Sequence, residues 1–151
     1  MYKLDKLDRR ILQILQEDGR VSHVNIAKQL GVRHTRVRDR ILRMEHGGVI
    51  KGYQAIINPA TLGQGILCIV LLKVNQQLDF DEMVEQILKI DEVIDVVNVT
   101  GEMDAHIRIW ARDVDHLRDI LYNKLSMLPA HQSTHSTIVL KHWGKPLGLG
   151  E

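Results

Sequence analysis

The sequence predicts an α+β chain in two parts: three short helices over the first third, then a βαββαβ alternation of the ferredoxin-like kind. Two observations carry that prediction. Apolar residues up to Gly47-Gly48 recur every three or four positions, whereas those after Asn58-Pro59 come in β-branched runs separated by two helical stretches. The turn-forming pairs Gly47-Gly48 and Asn58-Pro59 punctuate the change. The domains read as 1–52 (helical), 53–64 (a linker strand), 65–143 (the sheet domain) and 144–151, a tail with too many glycines to hold a fixed shape.

The first helix carries Leu7, Ile11, Ile14 and Leu15 on one face, with Asp5 as its N-cap, Asp8 three residues on and Gly19 closing it. Ser22 caps the second helix, whose inward face is Ile26, Ala27 and Leu30; Gly31 supplies the left-handed position of a sharp reversal. The third carries Val37, Ile41 and Met44 at spacings of four and three. Short helices with a glycine turn between the last two form a helix-turn-helix. Val49 to Ile57, β-branched around Gly52, reads as a short strand or wing, so the N-terminal domain is expected to be a three-helix winged helix-turn-helix.

The sheet domain reads as strand Ile66 to Val74, helix Asp81 to Ile90, strands Val93 to Val99 and Ala105 to Ala111, helix Val114 to Met127, and strand Ser133 to His142. Asp79 and Asp113 stand where N-caps belong, and Pro129 follows the second helix. The run Ile66 to Leu72 does not alternate, so both its faces are expected to be buried. Helices in this topology cover one face; the other is expected to meet a second subunit, unless the strand is wholly buried within the monomer.

The net charge of +1 conceals a split. Residues 1–52 hold 12 Lys+Arg against 6 Asp+Glu, or +6, and residues 53–151 hold 8 against 13, or −5. The first segment suits a polyanion. On a helical wheel Arg36, Arg40 and Arg43 share a narrow sector beside the Val37, Ile41, Met44 stripe and should stay wet when that stripe packs. With Arg33 and Arg38 they put five guanidinium groups in eleven residues against one acid, Asp39, a density that phosphates would neutralise. In a helix-turn-helix the start of the second motif helix faces base edges, so His34, Thr35, Arg36 and Arg38 are the candidate base readers, with Arg33 beside them in the DNA-binding set. Arg40, Arg43 and Lys51 are expected on phosphates, which fix register. A solvated surface charge is the rival reading for any one of these arginines.

The chain resembles the leucine-responsive and asparagine-synthase regulator family (Lrp/AsnC, the feast/famine regulators) over nearly all its length. The resemblance rests on Leu7-Asp8-Arg9-Arg10-Ile11-Leu12, residues 26–32, Gly48-Val49-Ile50-Lys51-Gly52-Tyr53, residues 58–63, Thr100-Gly101-Glu102-Met103-Asp104 and Ile138-Val139-Leu140-Lys141, in the family's order and spacing. It implies a prokaryotic transcription regulator of the cytoplasm and nucleoid. Its sheets would pair into a homodimer and dimers assemble towards an octamer on double-stranded, pseudo-palindromic operator DNA. It further implies a small amino acid as effector, held near Thr100, Gly101, Glu102, Met103, Asp104, Thr134 and Ser136. Glu102 or Asp104 would accept from its ammonium group, and Thr134, Ser136 and the Gly101 backbone would donate to its carboxylate. A glycine turn between strands, with surface hydroxyls, is the rival at each of these positions. Where many relatives open the recognition helix with a small polar cap and proline, this chain has Arg33-His34, so either Thr35 caps a later start or the cap is lost.

No window is apolar enough for a membrane span, and the charged N-terminus is unlike a signal peptide. The single cysteine, Cys68, reads as a small buried hydrophobe, and neither a cofactor nor a metal is expected. His131 and His135 would lie about 13 Å apart on a strand, too far to share an ion. Two rivals remain: a siroheme decarboxylase of the same architecture, for which His106 and Arg108 share a strand face, and a nucleoid-coating protein. Acids in the 101–104 loop and the lack of a tyrosine there favour a regulator over an enzyme.

Overall fold

The computed structural model describes residues 2–75, 79–129 and 131–149; the last two residues of the expected tail lie outside them. The chain divides into two compact units, Met1–Ile56 with Gly144–Glu151, and Ile57–Trp143.

The first unit is built on α1 (Lys6–Glu17), α2 (His23–Leu30) and α3 (His34–His46). Asp5 caps α1 reciprocally: its carboxylate accepts the Asp8 N–H at 2.9 Å, and Asp8 accepts the Asp5 N–H at 3.0 Å. Ser22 accepts the Asn25 N–H to start α2, and Gly31 ends it at φ 65°, a conformation that strains any residue with a Cβ. Ile11, Ile26, Val37, Ile41 and Met44 fill the core between the three helices.

The extended stretch after α3 forms no strand, which corrects the expected wing. Its first donors go elsewhere: Val49 and Ile50 N–H both return to the Met44 carbonyl, at 2.8 and 3.1 Å, and close the end of α3. Among the described residues this unit offers no strand for residues 51–57 to pair with. The tail also departs from expectation. Leu149 packs against the helical core, its carbonyl accepts from Arg9, and Gln16 donates to the Leu147 carbonyl at 3.2 Å.

The second unit contains β1 (Ile66–Val74), α4 (Phe80–Ile87), β2 (Val93–Asn98), β3 (Ala105–Ala111), α5 (Val114–Asp119) and β4 (His131–Ile138). The antiparallel sheet runs β2-β3-β1-β4, the ferredoxin-like order. In β1, Cys68, Val70 and Leu72 are fully buried with Ala105, Ile107 and Ile109 of β3, beneath Met83, Ile87, Leu117, Ile120 and Leu125. Leu67, Ile69 and Leu71 point to the opposite face and are only partly covered. The second helix is not continuous to Met127. It widens into a π-turn over Ile120–Lys124 and tightens at Leu125–Met127. The wide turn brings Ile120 and Leu125, five residues apart, onto one face, and both are fully buried. Lys124 is drawn to Glu92 at 2.7 and 2.8 Å, which fixes the same turn.

Candidate functional site

The α2–α3 turn is set by backbone bonds: Val32 N–H reaches the Ala27 carbonyl at 3.1 Å, and Gly31 N–H the Lys28 carbonyl. Helix α3 then begins at His34 behind Arg33, whose side chain makes no capping bond, so of the two alternatives the cap is lost. Its first-turn amides at Arg36 and Val37 turn back to the Arg33 carbonyl. Val37, Ile41 and Met44 are buried at 0, 3 and 0% exposure, which turns the remaining sectors of α3 outward.

Arg33, His34, Thr35, Arg36, Arg38, Arg43 and Lys51 are all exposed. Arg33, Thr35, Arg36, Arg40 and Arg43 line one concavity of about 580 Å³ with Gly31, Val32 and Asp39. His34, Arg33 and Thr35 open onto a second hollow, of similar size, that adds Lys28 of α2. Lys28 escaped the sequence reading because it lies on the helix before the turn; its exposure on the last turn of α2 is the signal that finds it. Arg38 and Lys51 line neither hollow. Arg38 pairs at 3.2 Å with its neighbour Asp39, an exposed contact worth little.

Arg40 departs from the row. Its Nη1 bonds Asp5 and, at 3.1 Å, Oδ1 of Asp8, a carboxylate only 1% exposed. Bonding to Asp5 and Asp8 holds the Arg40 pKa above its ordinary value, against burial. The Asp8 N–H and then Arg40 hold that of Asp5 below the usual carboxylate range. The sequence wheel leaves Arg40 wet; the fold gives it two partners.

In the second unit Gly101 turns the β2–β3 connection at φ 130°, and the loop closes through Val99 N–H to the Asp104 carbonyl at 3.1 Å. Val99, Thr100, Glu102, Met103 and His106 line a shallow hollow of about 480 Å³. Glu102 is exposed, and no hydrogen bond engages its side chain among the described residues. Asp104 faces another way: Oδ2 accepts the Val74 N–H at 2.9 Å and Oδ1 lies 3.4 Å from Lys73 Nζ. These contacts, the amide first, lower its pKa. Thr134 and Ser136 of β4 pair with Leu72 and Val70 of β1, outside the hollow. His106 and Arg108 do share a face, but Arg108 is bound bidentately to Asp95 of the neighbouring strand, which lowers the Asp95 pKa. Among the described residues no three His, Cys, Asp or Glu side chains group as a metal site, and no helix is long and apolar enough to cross a membrane.

Residues 67–145 match the family described as the Lrp/AsnC ligand binding domain, and residues 4–45 match the AsnC-type helix-turn-helix domain. The chain belongs to the Lrp/AsnC family of DNA-binding transcription regulators. Among its relatives, the HTH-type transcriptional regulator FL11 of Pyrococcus furiosus is 33% identical over 138 residues, covering 91% of this chain and 90% of that protein. The regulatory protein AsnC of Escherichia coli K12 is 30% identical over 141 residues, covering 93% of each. The solved structure of E. coli AsnC superposes with a TM-score of 0.87 at 29% identity, covering 97% and 98% of the two chains. The regulator NMB0573 of Neisseria meningitidis, solved as its L-Met complex, superposes with a TM-score of 0.91 at 25% identity, covering 98% and 97%. Along this chain the match to the helix-turn-helix domain precedes the match to the ligand binding domain.

Proposed function

We propose that this Lrp/AsnC regulator reads a specific DNA sequence through α3, acts as a homo-oligomer joined through the outer face of its sheet, and answers to a small amino acid. One observation carries the DNA reading: the buried stripe Val37, Ile41, Met44 leaves Arg33, Arg36 and Arg43 exposed around a single groove, with His34 and Thr35 at the helix start. The exposure of Thr35 and Arg36 at the start of α3 supports a base-reading role for them, and that of Arg43, about two turns further on, supports a phosphate contact. The oligomer reading draws on Leu67, Ile69 and Leu71, which line the sheet face opposite the helices and are half-covered in the single chain. The effector reading draws on the hollow at Thr100, Glu102, Met103 and His106, with Glu102 as the acceptor for an ammonium group, and on the L-Met complex of the Neisseria relative. A DNA target supports a location in the cytoplasm at the nucleoid, and its relatives, which are transcriptional regulators, support a regulatory role over an enzymatic one.

The test compares two arginines. Arg36→Ala should weaken binding to the operator more than to unrelated duplex, relaxing sequence preference, while Arg43→Ala should weaken both about equally and flatten the salt dependence. Identical effects from the two variants would contradict the division of roles. A thermal-shift screen of the twenty amino acids addresses the effector, since a ligand bound only to the folded state raises its melting temperature. No stabilisation by any of them removes the amino-acid reading.

A further inference from the structure

Helix α3 lacks the device that fixes a helix at its start. No side chain caps it, and its opening residues lie in the exposed groove. Its placement against α1 therefore depends on contacts further along. The buried stripe holds α3 by packing that has no preferred bond direction. Directional contact comes from Arg40.

Arg40 lies one turn from Arg36 and about one from Arg43, so it is flanked by the residues assigned to DNA. Its guanidinium is nonetheless turned towards the N-terminus of α1, where it bridges Asp5 and Asp8. Asp8 is fixed from every side: its Oδ2 accepts the Asp5 N–H at 3.0 Å and the Tyr2 hydroxyl at 3.3 Å, and its Oδ1 accepts Arg40 at 3.1 Å. Arg40 is 22% exposed, against 58% for Arg38. Both carboxylate bonds come from Nη1, which holds the guanidinium against α1; drawing it outward to a phosphate would strip its partner from a carboxylate that is 1% exposed, leaving a buried charge.

We infer that Arg40 does not contact DNA but is a positioning residue, clamping α3 to the α1 capping box through Asp5 and Asp8 and thereby setting the angle at which Arg36 and Arg43 meet the duplex. This rests on the reading of α3 as the DNA-reading helix. A site of this sort works only when its supporting contacts hold it to about half an ångström. The acidic pair thus serves DNA binding although its own charge opposes the polyanion.

Charge bookkeeping separates the two roles. The probes are a duplex selected by the unmodified protein from a random-sequence pool, and calf-thymus DNA, each titrated over a range of salt, with circular dichroism recording the helix content of every variant. Arg40→Ala should bind the selected duplex at least about tenfold more weakly while the slope of log K against log salt stays close to that of the parent, because Arg40 itself holds no phosphate and a small misalignment weakens the directional base contacts of Arg36 far more than the charge attraction of Arg43. Arg43→Ala should reduce that slope by about 0.9, the value of one phosphate on B-DNA. Affinity of Arg40→Ala for calf-thymus DNA should fall far less than for the selected duplex, a difference that mere loss of folded protein would not produce. Asp8→Asn and the milder Asp5→Ala remove negative charge, yet should also weaken selected-duplex binding. If Arg40 instead meets phosphate, Arg40→Ala lowers the slope as Arg43→Ala does, and both aspartate variants bind more tightly; that result overturns the clamp. Should Arg40→Ala fail to fold, the sign of the Asp5→Ala effect decides. If Arg36→Ala and Arg43→Ala leave binding untouched, the reading of α3 fails and the positioning role of Arg40 falls with it, whereas weakened binding by both with a lowered slope for Arg40→Ala overturns the clamp alone.

Discussion

Replacing Asp104 with alanine should destabilise the second unit before it says anything about ligand. Its carboxylate is the acceptor for the Val74 amide at 2.9 Å, where β1 ends and its register with β4 shifts. Alanine leaves that half-buried N–H without an acceptor, at a cost of about 1–3 kcal/mol. Loss of the Lys73 contact at 3.4 Å adds little, since both groups are partly solvated. Taking ~2 kcal/mol, the melting temperature of a domain this size falls by roughly 10 °C. Asparagine keeps an oxygen for the amide and should cost under about 1 kcal/mol. The charge contributes with a definite sign. Because the folded carboxyl has a lowered pKa, its stabilisation is present above the ordinary value of 3.8 and disappears as pH falls through the folded value. The gap between parent and Asp104→Asn should therefore narrow on going from pH 7 to strongly acid solution. Thermal melts of the three proteins at both pH values read all of this directly. Melting of Asp104→Ala within a degree of the parent would refute the structural role, and a gap that widens in acid would refute the charge argument.

Other perturbations read other parts of the fold. Gly31→Ala has open space around its new Cβ but must hold φ near 65°, so it should cost about 1–2 kcal/mol in the first unit, seen as a lower denaturant midpoint; an unchanged midpoint would contradict the strain. Ile69→Asp places a charge at the middle of the outer sheet face and should leave monomers in light scattering, whereas an intact oligomer would remove that face from the interface. A stop codon after Trp143 deletes the Leu149 contact with the helical core and should lower the stability of the first unit by about 1 kcal/mol, with equal stability showing that the tail contributes nothing. Glu102→Gln should weaken binding of any amino acid that the thermal-shift screen identifies, and undiminished calorimetric affinity would place the ammonium elsewhere.

What could be read in advance was what lies close along the chain. The Asp5–Asp8 capping box, Ser22, and the left-handed Gly31 are each set by residues within three positions, and all three form as expected. Strand β3 alternates buried and open positions and was bounded to the residue. Contacts between residues distant along the chain were not legible. Arg40 meets Asp5 and Asp8 across more than thirty residues, and Asp104 meets Val74 across thirty, so both looked free to bind something else. Strand β1 is apolar without a break from Ile66 to Leu72, which hides the face the helices cover. The wing failed because a β-branched run says only that residues can extend, not that a partner strand exists, and Val49 and Ile50 had an alternative acceptor in Met44.

The central claim is that the exposed arginines of α3 read a DNA sequence. Selection of bound duplexes from a random pool, followed by footprinting of the enriched sequence at rising salt, tests it most directly. The account predicts an enriched pseudo-palindrome, protected as discrete half-sites about one helical turn apart that persist as salt increases. A pool that stays random, with protection spread evenly and lost all at once, would contradict it.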